Sequence, residues 1–200
     1  LAGERRNAKL RIGALLREQR IATTGRRWTK AWVNWLRTFE GLSDQGRWII
    51  DRHLARLEFL RQEIAAVEKR LAGLTADDPI VPWLTTQPGV GLVTGVTLRA
   101  EIDRFDRVRS GKQVARFCGL SPRNASSGQR QADAGLIKAG NPQLRAVLVE
   151  AAHRLQRFDP RWRQLGTALR QRHKAGSVVA AAVANRWVRW LYHQLKSLAA

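Results

Sequence analysis

Apolar positions along this chain recur at spacings of three and four far more often than they alternate, a period that predicts helices. Over residues 4–21, Leu10, Ile12, Leu15, Leu16 and Ile21 form a stripe among arginines and lysines, giving a helix with a basic outer face. Thr23-Thr24-Gly25 breaks it. The stripe Trp28, Trp32, Trp35, Leu36, Phe39 predicts a second helix over residues 28–39. Ser43 is placed to cap a third, which runs from Gln45 to about Leu74. Its apolar seam, Ile50, Leu54, Leu57, Ile64, Val67, Leu71 and Leu74, is interrupted at Arg61, with Leu60 beside it. Such a seam suits a coiled-coil arm packed on the N-terminal helix or on another subunit.

Thr75-Ala76-Asp77-Asp78-Pro79 ends the arm. Turn-forming residues there divide the chain into a helical, coiled-coil region, 1–78, and a compact C-terminal domain, 79–200. A short helix over 80–86 leads into Pro88-Gly89-Val90-Gly91, and another helix runs from Leu92 to Ile102. Two short helices around glycine–apolar–glycine form a helix-hairpin-helix-like pattern. In it Gly89 and Gly91 let the backbone approach a phosphate; the alternative is a tight turn that needs glycine for its backbone angles alone. Ser110 caps a helix over Lys112–Phe117, and short extended pieces are expected near Arg123 and Leu136–Lys138. Asn141-Pro142 opens a helix with a capping side chain followed by proline, and Asp159-Pro160 starts another. Gly176 precedes a last helix, whose Val183, Trp187, Trp190, Leu191 and Leu195 lie on one side. The fold class is therefore mainly α.

Charge changes the picture. Thirty-six Lys and Arg against sixteen Asp and Glu leave a formal net charge of +20. That excess points to a polyanionic partner, and its spread along the whole chain favours nucleic acid over a membrane surface. No apolar run approaches a membrane span and no signal peptide is visible, so the expected location is the cytoplasm. The single cysteine, Cys118, excludes an internal disulfide and a Cys-rich zinc site. The chain contains no methionine, even at position 1, and reads as part of a longer protein.

The segment from Phe117 to Ala152 concentrates the candidate chemistry. Turn-forming residues crowd its first half, with Ser126-Ser127-Gly128 at the centre and Arg123, Arg130, Lys138 and Arg145 in reach along the chain. A serine attacks phosphorus when a base or metal takes its proton and cations stabilise the phosphoryl oxygens. The cations are present, whereas no base or metal site is evident. Glu58, Glu63 and Glu68 lie among arginines on the long helix and read as ion-pair partners. Arginines also interleave with Glu101, Asp103 and Asp106. The four histidines show no ligand spacing, and no cofactor is expected in this chain.

Pro88–Gly91, Gly119-Leu120-Ser121-Pro122, Ser127-Gly128, Lys138–Asn141 and Leu144-Arg145 together resemble the C-terminal domain of the Piv-type insertion-sequence transposases. Gly25–Thr29 and the arm resemble that family's middle region. The resemblance implies a recombinase guided by a bridge RNA, in which an N-terminal RuvC-like DEDD domain, absent from these residues, binds magnesium. It further implies that a C-terminal serine attacks DNA. That serine maps to Ser127, with Ser126 as the fallback. DNA, a structured guide RNA and further copies of the protein, as a dimer or tetramer, are the implied partners. The competing expectation is a non-catalytic helix-hairpin-helix module. On either expectation Gly89, Gly91, Arg123, Arg130, Lys138, Asn141 and Arg145 are nucleic-acid contacts; for the module the serine is unnecessary.

Overall fold

A computed structural model describes residues 1–103, 108–124, 133–137 and 139–198. It is mainly helical, with one two-stranded sheet among the described residues. The chain divides into two compact units, Leu1–Arg70 and Leu71–Ala200.

The first unit is built from α1 (Ala2–Glu18), α2 (Lys30–Thr38) and most of α3 (Asp44–Leu74). Ile12 and Leu16 of α1, Trp32 and Leu36 of α2, and Ile50 and Leu54 of α3 make one buried cluster. Complete burial of such a side chain contributes about 1.5–3 kcal/mol. Trp28, Trp32, Trp35 and Phe39 pack in succession as tilted pairs, with ring centroids 4.8, 5.9 and 5.0 Å apart. These aromatics are packing anchors. α2 starts later than the periodicity predicts: Trp28 has φ +68°, and Thr29 is the cap, accepting from the Trp32 amide. Trp28 still joins the aromatic row from outside the helix.

Ser43 does cap α3, accepting from the Gly46 amide at 3.1 Å. Arg47 then donates to the Leu36 carbonyl at 2.8 Å, satisfying an orphan acceptor at the end of α2. The seam of α3 is buried unevenly. Ile50, Leu54 and Leu60 are buried, whereas Val67 and Leu74 are exposed. Glu58 does pair with Arg61, at 2.7 Å.

In the second unit α4 (Ile80–Thr85), α5 (Leu92–Ile102) and α6 (Gly111–Phe117) precede the hairpin of β1 (Pro122–Asn124) and β2 (Asp133–Leu136). α7 (Pro142–Phe158), α8 (Pro160–Gln171) and α9 (Gly176–Leu198) follow. The core is organised around α9, on which α6, α7 and α8 all pack. Val183, Trp187, Leu191 and Leu195 of α9 are buried. They meet Leu144, Leu148 and Leu155 of α7 in one cluster. Trp190 departs from the expected buried side and is only partly buried at its edge. Cys118 is a core residue, and burial pushes its thiol up to about 12. No helix among the described residues is long and apolar enough to cross a membrane.

Candidate nucleic-acid interface and serine loop

α6 ends in a turn that turns the chain sharply. Gly119 takes φ +66°; its amide donates to the Arg116 carbonyl and the Leu120 amide to that of Ala115, both at 2.9 Å. This is a Schellman cap, with Leu120 buried beyond it. The chain leaves along β1 and returns along β2, antiparallel, pairing Pro122 with Leu136 and Asn124 with Asp133 across an irregular register. The Ile137 amide donates to the Ser121 carbonyl at 2.9 Å, and the Asn141 amide to that of Phe117 at 2.8 Å. Between these bonds, Gly140 lies directly on Gly119. A Cβ on Gly140 would fall 2.6 Å from the Gly119 nitrogen and 2.7 Å from the Phe117 oxygen. The loop is thus an excursion whose two stems meet at a glycine–glycine contact. Ser126, Ser127 and Arg130, in the connection between the strands, and Lys138 lie outside the described residues.

Two predicted site residues stand at the loop base. Arg145, partly buried on α7, lays its guanidinium against Gly119; a Cβ there would meet Arg145 Nη1 at 2.3 Å. Asn141 accepts from the Gln143 and Leu144 amides at 2.9 and 3.1 Å, and its Nδ2 donates to Glu101. Both polar ends of Asn141 are therefore engaged in the fold, where they tie the start of α7 to the end of α5. Arg123 stands exposed on β1.

The glycines of the α4–α5 turn differ from each other. Gly89 has φ +82°, and a Cβ on it would fall 2.2 Å from Arg154 Cβ on α7. Backbone conformation and close helix packing both require glycine there. Gly91 caps α5 with no side-chain bond and faces open space, nothing lying within 4 Å of a Cβ built on it. Gly91 therefore has the open backbone that a phosphate contact needs.

Asp78 positions the first helix of this turn by accepting from the Ile80 and Val81 amides at 2.8 and 2.9 Å. Arg99 of α5 donates to its other oxygen at 2.7 Å. Partial burial raises the Asp78 carboxyl, but the Arg99 bond and the two amides outweigh it and hold it below the usual carboxylate range. Glu101 is engaged by Asn141, and Asp103 lies 3.5 Å from Arg99 Nη1. Asp106 lies outside the described residues. Among the described residues, no group of three or more His, Cys, Asp or Glu is placed to hold a metal ion.

Sequence reasoning missed the meeting of Gly119 and Gly140. A helix-stop signal was visible in Cys118-Gly119, and Gly140 precedes a capping Asn-Pro pair. Their mutual contact, across twenty-one positions, has no local signature.

The Transposase IS116/IS110/IS902 family model matches residues 82–166, from α4 into α8. The chain is 30% identical over 135 residues to the transposase for insertion sequence element IS1328 of Yersinia enterocolitica, covering 66% of this chain and 40% of that protein. It is 30% identical over 141 residues to a probable family 20 transposase of Pseudomonas aeruginosa, covering 68% and 41%. A putative transposase of Sinorhizobium fredii, y4rJ, is 36% identical over 125 residues, covering 56% and 31%. The chain spans about two fifths of the length of the first two relatives. The stretch that holds the α4–α5 turn, the pinched loop and α7 is therefore similar to the transposase domain of the IS116/IS110/IS902 family.

Proposed function

We propose that this chain is the DNA-binding, serine-bearing portion of a transposase, and that Ser127 is its nucleophile, with Ser126 as the alternative. The carrying observation is the pinched loop: Gly119 and Gly140 fix both stems of the segment bearing the serines, and Arg145 lies at its base. In the proposed step, the serine Oγ forms a bond to phosphorus as the bond to one sugar oxygen breaks. The serine proton passes to a base and the sugar leaves as a hydroxyl. A phosphoserine and a free sugar hydroxyl conserve the ester, so the reverse reaction with another strand's hydroxyl completes exchange. Cations such as Arg145 lower the cost of charge on the phosphoryl oxygens. Any magnesium would be bound by an acidic domain outside these 200 residues, as the resemblance implies. A structured guide RNA, assembly into a dimer or tetramer, and a cytoplasmic location belong to the same reading.

The open N-terminus of α5 at Gly91 favours a second reading, a module that binds DNA through the α4–α5 turn without chemistry. A covalent trap separates the two. The chain, together with the acidic domain that the resemblance places upstream, is incubated with labelled donor DNA and magnesium and run on a denaturing gel. The expected protein–DNA adduct disappears in Ser127→Ala and persists in Ser126→Ala. The reverse pattern moves the nucleophile by one residue. No adduct in any variant, with DNA binding intact, establishes the module.

A further inference from the structure

The outer face of α9 carries a feature that the serine loop and the α4–α5 turn leave unused. Arg186, Arg189 and His193 recur at spacings of three and four and so share one side of the helix. Two concavities lie along that side, and Arg186 and Arg189 line both. The first, about 500 Å³, is shaped by Trp162, Leu165 and Trp190, with Arg161 and His193 at its edge. The second, about 920 Å³, has an apolar floor that includes Leu120, Pro122 and Val178, with Lys112 and Lys174 on its rim. No acidic residue lines either one among the described residues. Among the described residues, Lys112, Arg186 and Arg189 form no ion pair. Gly111 brings Lys112 to this wall: a Cβ on it would fall 3.0 Å from the Arg189 carbonyl oxygen, so α6 abuts α9 at that point.

The first concavity also holds a cationic shelf. The Arg161 guanidinium lies over Trp162 at 4.8 Å and over Trp190 at 5.7 Å from the ring centroids. Trp83 stacks against Trp190 at 6.3 Å. Trp162 and Trp190 meet edge to face at 73°, and a guanidinium held against indoles offers a plane on which a base face stacks. Duplex backbone needs only the cations, because its base faces are hidden. Apolar floors and a stacking shelf beside unpaired arginines suit a strand whose bases are exposed.

We propose that the α9 face is a track for an unpaired polynucleotide strand, with Arg186 and Arg189 neutralising its phosphates and the Arg161 shelf stacking a base. This rests on the nucleic-acid reading above, but not on the serine chemistry.

The test is fluorescence anisotropy of the whole chain with labelled oligodeoxythymidylate, oligouridylate and a DNA duplex. The variants are Arg186→Glu with Arg189→Glu, and Arg161→Lys, which keeps the charge and loses the planar group. A control pair, Arg5→Glu with Arg6→Glu on exposed positions of α1, carries the same charge change. Circular dichroism checks that each variant is folded. We expect the α9 pair to weaken single-strand binding at least tenfold more than the control pair, and Arg161→Lys to weaken it severalfold while sparing the duplex. A larger loss with the DNA or the RNA oligomer identifies which strand the track serves. Equal losses from the α9 and α1 pairs on every probe, or single-strand binding untouched by the α9 changes, would overturn the track while leaving nucleic-acid binding intact. Failure of the unaltered chain to bind any probe would overturn both.

Discussion

Single atoms decide the geometry of the serine loop. Gly140 has φ +149°, where side chains are strained, and its Cα rests on the Gly119 backbone. Gly140→Ala therefore combines backbone strain with a clash against main-chain atoms that cannot swing aside. The expected loss is on the order of 3 kcal/mol, read as a fall in melting temperature of roughly 6–12 °C. An unchanged melting curve would show that the stems do not need to touch. Asn141 teaches a related lesson. The sequence marks it as a helix cap and also as a contact for nucleic acid, and the structure shows its side chain engaged with α7 amides and Glu101. Local chemistry predicted the cap; the Glu101 partner, forty positions away, lay beyond any local pattern.

At the scale of elements, the helix starts were the most legible part of the chain. Ser43, Ser110 and Asn141 each accept from the amides they were expected to cap, because a cap is a contact within three residues, and Asp159 does the same at the start of α8. The far half of α3 was less legible. Apolar spacing continues through Val67 and Leu74, yet these stay exposed, since periodicity shows which residues share a face and not what covers it. The α4 start permits a pH test. Asp78 is held below its ordinary value, so its ionised form stabilises the fold fully above that value, near 3.8, and the contribution fades as pH falls through the lower native one. Asp78→Asn should cost about 1 kcal/mol at pH 7, measured by urea denaturation. The gap from the unaltered chain should narrow only below about pH 3.8. A gap independent of pH would mean that the charge on Asp78 contributes nothing.

At the scale of the whole molecule, the formal charge of +20 predicts binding that is steep in salt. If about six phosphates are neutralised, DNA affinity should fall roughly 10³-fold between 50 and 200 mM salt. A flat titration would point to a contact that releases few counterions. Charge was readable from composition alone, whereas its arrangement was not. Arg186 and Arg189 look like ordinary surface arginines of an amphipathic helix until the fold sets α6, the hairpin and α8 around them.

Because the stems of the serine loop meet at Gly119 and Gly140, whatever lies between them is attached to the domain as a cassette. Its length can change by several residues for a closure cost that grows only logarithmically. The helices that make the core need not shift to accommodate it. Related chains can thus differ in the length and sequence of this segment as long as the two glycines that form the clasp are kept.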